Sequence, residues 1–237
     1  MLSREDQRKR VLLLSNSIQH GHGYLDHAES EIQGFLGDIK RILFIPFAMF
    51  NHEEYASKNR TRFAAMGYEM ASINASPDPC AEVENADAVF IGGGNTFRLL
   101  KTIYEKSLLD VLRSRVFGGM PYLGSSAGSV VAGPTLKTTN DMPIVQPSSF
   151  AALGLVNFQI NAHYLDTDPR STHMGETREE RLLQYLEENE IPVLALREGA
   201  MVRVERGSVQ LKGESGARLF RQGSLPEEIA AGTKLSQ

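Results

Sequence analysis

The sequence predicts an α/β fold in which a mostly parallel central sheet lies between two layers of helices. Short apolar segments bounded by turn residues alternate with segments whose apolar residues recur every three or four positions. Strands that alternate with helices in this way favour a parallel sheet covered on both faces. We therefore expect a three-layer sandwich, with a β-hairpin added towards the C-terminus.

The expected elements follow in chain order. Strands are predicted at VLLLSN (11–16), RILFIPFA (41–48), YEMASIN (68–74), ADAVFIGGG (86–94), MPYLGSS (120–126) and VNFQINAH (156–163). Helical spacing covers residues 25–39, 52–67 and 95–117. Residues 199–213 alternate like a hairpin turning at Arg206-Gly207, and residues 218–229 are expected to add an edge strand.

The 237 residues suit one domain over 1–237, with residues 1–10 as a flexible N-terminal extension. Residues 134–155 form a long irregular stretch, and a loop of that size in a compact domain is more often functional than idle. In parallel sheets, ligands bind beyond the carboxyl ends of the strands. The residues that follow each strand are therefore the first candidates for a site.

Composition argues against two classes of partner. The formal net charge is −4, and the single basic run, Arg8 to Arg10, is too short to hold a nucleic-acid backbone. The apolar run after it, Val11 to Leu14, is too short for a secretory signal, and no stretch approaches transmembrane length. Cys80 is the one cysteine, which excludes an intramolecular disulfide and fits a reducing compartment. We expect a cytoplasmic protein with neither nucleic acid nor membrane as partner, in which Cys80 is a structural thiol.

Residues 124–128, GSSAG, match the pattern G-x-S-x-G after an apolar strand. In that pattern the middle serine lies on a tight turn between strand and helix, and its oxygen projects over the sheet edge. Ser126 is therefore the candidate nucleophile, while Ser125 points elsewhere and Ser129 falls on the next helix. A phosphate-binding turn, or simply a tight turn, is the alternative interpretation.

A second glycine cluster, Gly92 to Gly94, follows the strand ADAVFI. Backbone N–H groups there could form one arm of an oxyanion hole, with the N–H of Ala127 as the other. The alternatives are a phosphate loop or close packing of a helix on a strand, although the spaced-glycine and Walker patterns are both absent.

A nucleophilic serine needs a base, and His163 is the best placed of the six histidines, because it ends the strand VNFQINAH and should emerge at the same sheet edge as Ser126. His20, His22 and His27 could suggest metal ligands, but no carboxylate or cysteine cluster accompanies them, so a polar loop is favoured. No metal is therefore expected. His173, in RSTHMGET, is a candidate for lining the site without acting in it.

The base needs an acid to orient it, and two acids compete. Asp141 lies in the long loop, whereas Glu198 follows the apolar run VLAL, and its position at a strand end favours it. Either acid could instead serve only in a turn. Arg178 follows Thr177 in the capping-box pattern of TREE, where a cation opposes the helix dipole. A salt bridge to Glu179 or Glu180 could compensate, but a carboxylate receptor explains the placement better.

Together these motifs resemble the peptidase E family of serine peptidases, the alpha-aspartyl dipeptidases. The matching stretches, in order, are LLLSNS, FIPFA, IGGGNTFRLL, YLGSSAG, TTNDMPIV, INAHY, GETREER and REG, from about Val11 to Gly199. The resemblance implies a fold like that of class I glutamine amidotransferases, which is flavodoxin-like. It also implies hydrolysis of dipeptides with an N-terminal aspartate, without a cofactor, and it leaves a homodimer open.

Carried over by motif, the resemblance implies a nucleophile, Ser126, a base, His163, and oxyanion donors at Gly94 and Ala127. It ranks Glu198 before Asp141 as the third member of the triad, and it implies that Arg178 binds the aspartate side chain of the substrate.

Two departures from the family stand out. Ser125 replaces a frequent tryptophan, which suggests a more open pocket wall, and NAHY replaces NPHF, which leaves the backbone before His163 less constrained. The rival functions are a hydrolase of aspartyl linkages in a polymer, similar to cyanophycinase, and a catalytically silent module that binds small anions.

Overall fold

The carboxyl ends of five parallel strands meet at one edge of the large sheet that organises the molecule. The computed structural model describes residues 7–172 and 174–235. Its strands are β1 (Arg10–Leu14), β2 (Arg41–Ile45), β3 (Glu69–Ser72), β4 (Val89–Ile91), β5 (Tyr122–Ser125), β6 (Gln159–Tyr164), β7 (Val193–Arg197), β8 (Ala200–Glu205), β9 (Ser208–Gly213), β10 (Ala217–Phe220), β11 (Glu227–Ile229) and β12 (Lys234–Leu235). The order across the large sheet is β12-β9-β8-β1-β5-β4-β2-β3. Strands β1 to β5 run parallel, and β8, β9 and β12 are antiparallel to their neighbours.

Polar side chains begin most of the helices. The helices are α1 (Glu29–Leu36), α2 (His52–Ala65), α3 (Pro79–Asn85), α4 (Thr96–Glu105), α5 (Leu108–Phe117), α6 (Ala127–Val130) and α7 (Arg178–Glu188). Asn51, Asp78 and Asn95 cap α2, α3 and α4 by accepting a hydrogen bond from a backbone N–H in the first turn. Cys80 lies in α3, half-buried, with its Sγ 3.7 Å from the carbonyl oxygen of Lys106.

Helices cover both faces of the central sheet, so the predicted α/β sandwich is confirmed. On one face, α1 and α2 pack Ile32, Phe35 and Phe63 against Leu12 and Phe90 of the sheet. On the other face, α4 and α5 bury apolar residues in a separate cluster that also includes residues of β1, β2 and β4. That second cluster contains residues from Val11 to Ile229. It supports a single domain over 1–237, which stays a prediction.

Strand β6 does not extend the central sheet, although the sequence predicts that it ends at the same edge as β5. It belongs to a second sheet, of order β11-β10-β7-β6, whose inner face packs on the α4 and α5 side of the central sheet. Both sides of β1 are already occupied, by β5 and β8. Strand β6 instead pairs in parallel with β7, and α7 connects the two as a βαβ unit.

Other expectations are confirmed or refined. Strands β8 and β9 form the predicted hairpin, with Arg206 and Gly207 both at positive φ in its two-residue turn. The helical pattern over 95–117 is two helices, because Ser107 adopts a left-handed conformation, with φ of 55°, between α4 and α5. Residues 218–229 contribute two strands, of which β11 is the edge of the second sheet.

The predicted N-terminal extension over residues 1–10 overlaps β1 at Arg10, and Lys9 is buried. Residues 1–6 lie outside the described part of the chain, as does His173. None of the helices described has the length and apolar content that a lipid bilayer span requires.

Candidate active site

Ser126 lies where β5 gives way to the short helix α6, in a backbone conformation that few residues adopt. Its φ is 51° and its ψ is −110°, and its N–H donates to the carbonyl oxygen of Leu14 at 3.0 Å. A Cβ on Gly128 would stand 2.1 Å from the carbonyl oxygen of Ile91, so a side chain at that position would force strand and helix apart. Glycine at 128 therefore permits the close packing that holds Ser126 at this turn, as the G-x-S-x-G pattern requires.

His163 reaches Ser126 from the second sheet. Its Nε2 lies 3.0 Å from Oγ of Ser126. The pairing of β6 with β7 shifts register between Asn161 and Tyr164, and His163 has a φ of 54° at this bulge. The bulge turns the imidazole out of the strand alternation and towards the nucleophile.

Glu198 completes a chain of hydrogen bonds from the turn that joins β7 to β8. Its Oε1 lies 2.9 Å from Nδ1 of His163. This turn connects the second sheet to the central sheet, and Oδ1 of Asn16 accepts the N–H of Gly199 at 2.8 Å beside it. The imidazole and the carboxylate are both partly exposed, with 42% and 56% of their side-chain surfaces accessible. Substrate and water can therefore reach the pair directly.

Asp141 occupies a different place. Its Oδ2 accepts hydrogen bonds from the N–H of Thr96 at 2.7 Å and from the Thr96 hydroxyl at 2.5 Å, at the first residue of α4. Among the described residues, its carboxylate makes no hydrogen bond to His163. The geometry thus brings Glu198, and not Asp141, to the imidazole.

The glycine loop after β4 passes beside the nucleophile. A Cβ on Gly93 would lie 3.1 Å from Cβ of Ser126, so the two backbones are close neighbours. Gly94 has a φ of 136°, and a Cβ there would meet the carbonyl oxygen of Ala48 at 2.5 Å. Within the described chain, the N–H groups of Gly94 and Ala127 donate to no other residue. Both amides are therefore available to an oxygen that develops negative charge.

Arg178 is the first residue of α7, and Thr177 and Glu180 form the predicted capping box before it. Neither acid that could have neutralised Arg178 does so: Glu180 caps the N–H and hydroxyl of Thr177, and Glu179 pairs with Arg218. Over residues 7–172 and 174–235, the guanidinium of Arg178 has no ion pair and no hydrogen bond. Burial lowers the pKa of this guanidinium, as does the charge of Arg181, while Asp141 raises it.

A cavity of about 220 Å³ lies in front of Arg178. Its walls include Asp141 and Met142 from the long loop, Asn161 from β6 and Tyr185 from α7. Asn161 is two residues before His163, and Asp141 is bound to the start of α4 just after the glycine loop. Two segments that line the cavity thus lead along the chain to the base and to the glycine loop, although Ser126, His163, Gly94 and Ala127 are not among its lining residues. A larger cleft, of about 430 Å³, opens at the amino ends of β2 and β3 and contains none of these groups.

Other candidates take no part in this arrangement. Ser125 is fully buried, its Oγ has no hydrogen-bond partner among the described residues, and it does not line the Arg178 cavity. In the described chain, no group of three or more His, Cys, Asp or Glu residues is arranged to hold a metal ion. Ser15 and Asn16 have no role predicted from the sequence, although they follow β1 at the edge where functional residues are expected. That placement was the available signal.

Comparison with known proteins gives a consistent result. The model of peptidase family S51 matches residues 11–212. Peptidase E of Streptomyces coelicolor is 54% identical over 227 residues, which cover 96% of this chain and 93% of that protein. A Drosophila melanogaster protein named "Probable alpha-aspartyl dipeptidase" is 44% identical over 225 residues, covering 94% of each chain.

A solved structure supports the fold alone. The crystal structure of a peptidase from an acI-B1 Actinobacterium superposes with a TM-score of 0.69 at 16% identity, covering 97% of each chain. The family model spans most of the chain, and the relatives share its sequence nearly end to end. The chain therefore belongs to peptidase family S51.

Proposed function

We propose that the chain is a serine-type dipeptidase that hydrolyses dipeptides with an N-terminal aspartate. The observation that carries the proposal is the continuous hydrogen-bond chain from Ser126 through His163 to Glu198. A second observation supports it: Arg178 lines a cavity and has no ion pair among the residues that the structure describes. A nucleophile, a base and an orienting acid, hydrogen-bonded in that order, are the parts of a serine hydrolase.

In the proposed reaction, Oγ of Ser126 attacks the peptide carbonyl while Nε2 of His163 takes its proton. Glu198 holds the imidazole with Nδ1–H towards the carboxylate and stabilises the imidazolium that forms. The N–H groups of Gly94 and Ala127 stabilise the oxyanion of the tetrahedral intermediate. His163 then donates its proton to the departing amine, and a water molecule, activated by the same imidazole, releases aspartate from Ser126.

Arg178 supplies the selectivity for aspartate in this proposal. Because Glu179 and Glu180 are engaged elsewhere, its guanidinium remains available to a substrate carboxylate. Arginine binds carboxylates through two parallel hydrogen bonds, which a neutral asparagine cannot reproduce. The relative named as an alpha-aspartyl dipeptidase points to the same substrate class.

We further propose that Asp141 braces the long loop rather than orienting the base. Its two hydrogen bonds from Thr96 tie residues 134–155 to α4, beside the cavity. Glu198 is then the third member of the triad. The cytoplasmic location and the possible homodimer stay predictions from the sequence.

The test is a screen of dipeptides that differ only at the first residue: Asp-Ala, Glu-Ala, Asn-Ala and Ala-Ala. Asp-Ala should be cleaved at least about 100-fold faster than Asn-Ala, since a bound carboxylate is worth more than a neutral isostere. Ser126→Ala should abolish cleavage while its unfolding midpoint stays near that of the parent chain.

Three outcomes would overturn the proposal: full activity in Ser126→Ala, equal cleavage of Asp-Ala and Asn-Ala, or cleavage confined to polymeric aspartyl substrates. A serine-reactive phosphonate that fails to label Ser126 would favour a catalytically silent module instead.

A further inference from the structure

Ser15, the first residue after β1, joins the two sheets through its side chain. It is fully buried. Its hydroxyl donates to the carbonyl oxygen of Leu196 in β7 at 2.8 Å and accepts the N–H of His163 in β6 at 2.9 Å. Its own N–H donates to the carbonyl oxygen of Ala200 at 3.0 Å. One hydroxyl thus bonds the strand that carries the base and the strand that leads into the turn of the acid.

The preceding residue holds the nucleophile. The carbonyl oxygen of Leu14 accepts the N–H of Ser126 at 3.0 Å and the hydroxyl of Ser129 at 2.7 Å. Residues 14 and 15 therefore fix the nucleophile and the base from adjacent positions at the end of one strand. The distance between Ser126 Oγ and His163 Nε2 depends on this short connection.

His163 needs such a tether because its backbone is strained. A histidine at positive φ occupies a sparsely populated region, and this conformation persists only where the surroundings enforce it. The bulge in β6 also removes the N–H of His163 from the β6 and β7 ladder. The Ser15 hydroxyl gives that N–H its partner.

We propose that Ser15 is a positioning residue that holds His163 in reach of Ser126. The inference rests on the proposed function, and it concerns the backbone of the base rather than any contact with substrate. Without the hydroxyl, the N–H of His163 and the carbonyl of Leu196 both lose a buried partner. The imidazole then departs from the geometry that proton transfer requires.

The expected effect falls on the chemical step. A misplacement of about 1 Å in a catalytic group lowers the rate about 100-fold, so Ser15→Ala should lower kcat about 10- to 100-fold. The KM for Asp-Ala should change less than about threefold, because Ser15 lies outside the cavity that holds Arg178.

Ser129→Ala is the matched control. Ser129 is also fully buried, and its hydroxyl donates one hydrogen that is shared between the carbonyl oxygens of Leu14, at 2.7 Å, and Gly124, at 3.0 Å. It makes none to His163. Both variants should lose similar stability, but only Ser15→Ala should shift or broaden the proton resonance of the His163 Nδ1–H in NMR spectra. The rate of Ser126 labelling by a serine-reactive phosphonate should fall furthest in Ser15→Ala.

Equal labelling rates in the two variants, or an unmoved His163 resonance in Ser15→Ala, would overturn the proposal. If Ser15→Ala does not fold, Ser15→Cys serves instead, since a thiol fills the site with a slightly larger atom but is a weak acceptor. A parent-like labelling rate in folded Ser15→Cys would also overturn it. Neither labelling nor NMR needs a dipeptide. A parent chain that labels at Ser126 but leaves Asp-Ala intact would therefore contradict the proposed function alone.

Discussion

Oε1 of Glu198 lies 2.9 Å from Nδ1 of His163, in a turn where the chain crosses from the second sheet to the central one. The other candidate acid, Asp141, has its carboxylate on Thr96. Because the two acids occupy such different places, conservative substitutions should separate their roles.

Glu198→Gln should lower kcat for Asp-Ala about 10²- to 10³-fold. The glutamine amide keeps the contact with His163 but offers no charge to the imidazolium. It also permits the wrong tautomer of the imidazole. Because the carboxylate is partly exposed, water moderates the loss relative to a buried triad acid. Steady-state kinetics measure the change, and a parent-like kcat would remove Glu198 from the triad.

Asp141→Asn should act on stability first. The carboxylate accepts two hydrogen bonds from Thr96, and the loss of its charge should lower the free energy of unfolding by about 1–3 kcal/mol. Asp141→Asn should lower kcat less than Glu198→Gln does. Chemical denaturation and steady-state kinetics on the same preparation measure the two effects. A larger loss of kcat in Asp141→Asn than in Glu198→Gln would make Asp141 the orienting acid.

Arg178→Met should reduce the preference for Asp-Ala over Asn-Ala about 10- to 100-fold, because a charge-assisted pair to a carboxylate contributes about 1.5–3 kcal/mol. Arg181→Met is the control: it removes a second cation that lines the same cavity but pairs with Glu176, at 3.6 Å between Nε and Oε2. The measured quantity is the ratio of kcat/KM for the two dipeptides. A similar fall in that ratio for both variants would mean that local charge, and not a specific contact, selects aspartate.

Gly128→Ala and Gly34→Ala should change stability in opposite directions. The new Cβ at 128 would stand 2.1 Å from the carbonyl oxygen of Ile91, which forces the backbone to move and costs at least about 1–3 kcal/mol. Gly34 lies within α1, and a Cβ there meets nothing closer than Arg203 Nη1 at 3.9 Å. Alanine at 34 should therefore add about 0.5–1 kcal/mol. Thermal unfolding of the two variants measures both effects, and a stable Gly128→Ala would refute the packing argument.

The sequence predicts those features that depend on neighbouring residues. The strand and turn around Ser126 follow from local apolar and glycine patterns, as does the hairpin at Arg206-Gly207. The capping box of Thr177 and Glu180 is likewise contained in four consecutive residues. Each of these signals lies within a few positions of the feature it predicts.

The features that the sequence misses depend on contacts between distant residues. Pairing of β6 with β7, rather than with the central sheet, is decided by which strand edges remain free, and no local pattern encodes that. The hydroxyl of Ser15 meets the N–H of His163 across 148 positions in the chain. The break between α4 and α5 is also missed. The helical spacing of apolar residues continues through Ser107, and only that one residue is left-handed.

His27 should make the protein less stable in mild acid. Its two ring nitrogens are buried. Burial, followed by the nearby charge of His22, lowers its pKa, and the backbone of Asn16 and the carboxylates of Asp26 and Glu198 offset only part of that shift. The unfolded chain then binds a proton below about pH 6.5 that the folded chain resists, so the free energy of unfolding falls as the pH drops through that value. His27→Phe keeps a ring of similar shape and removes the titration. The slope of unfolding free energy against pH between about 5 and 6.5 should therefore flatten in this variant. A slope identical to that of the parent chain would show that the folded state protonates His27 as readily as the unfolded state does.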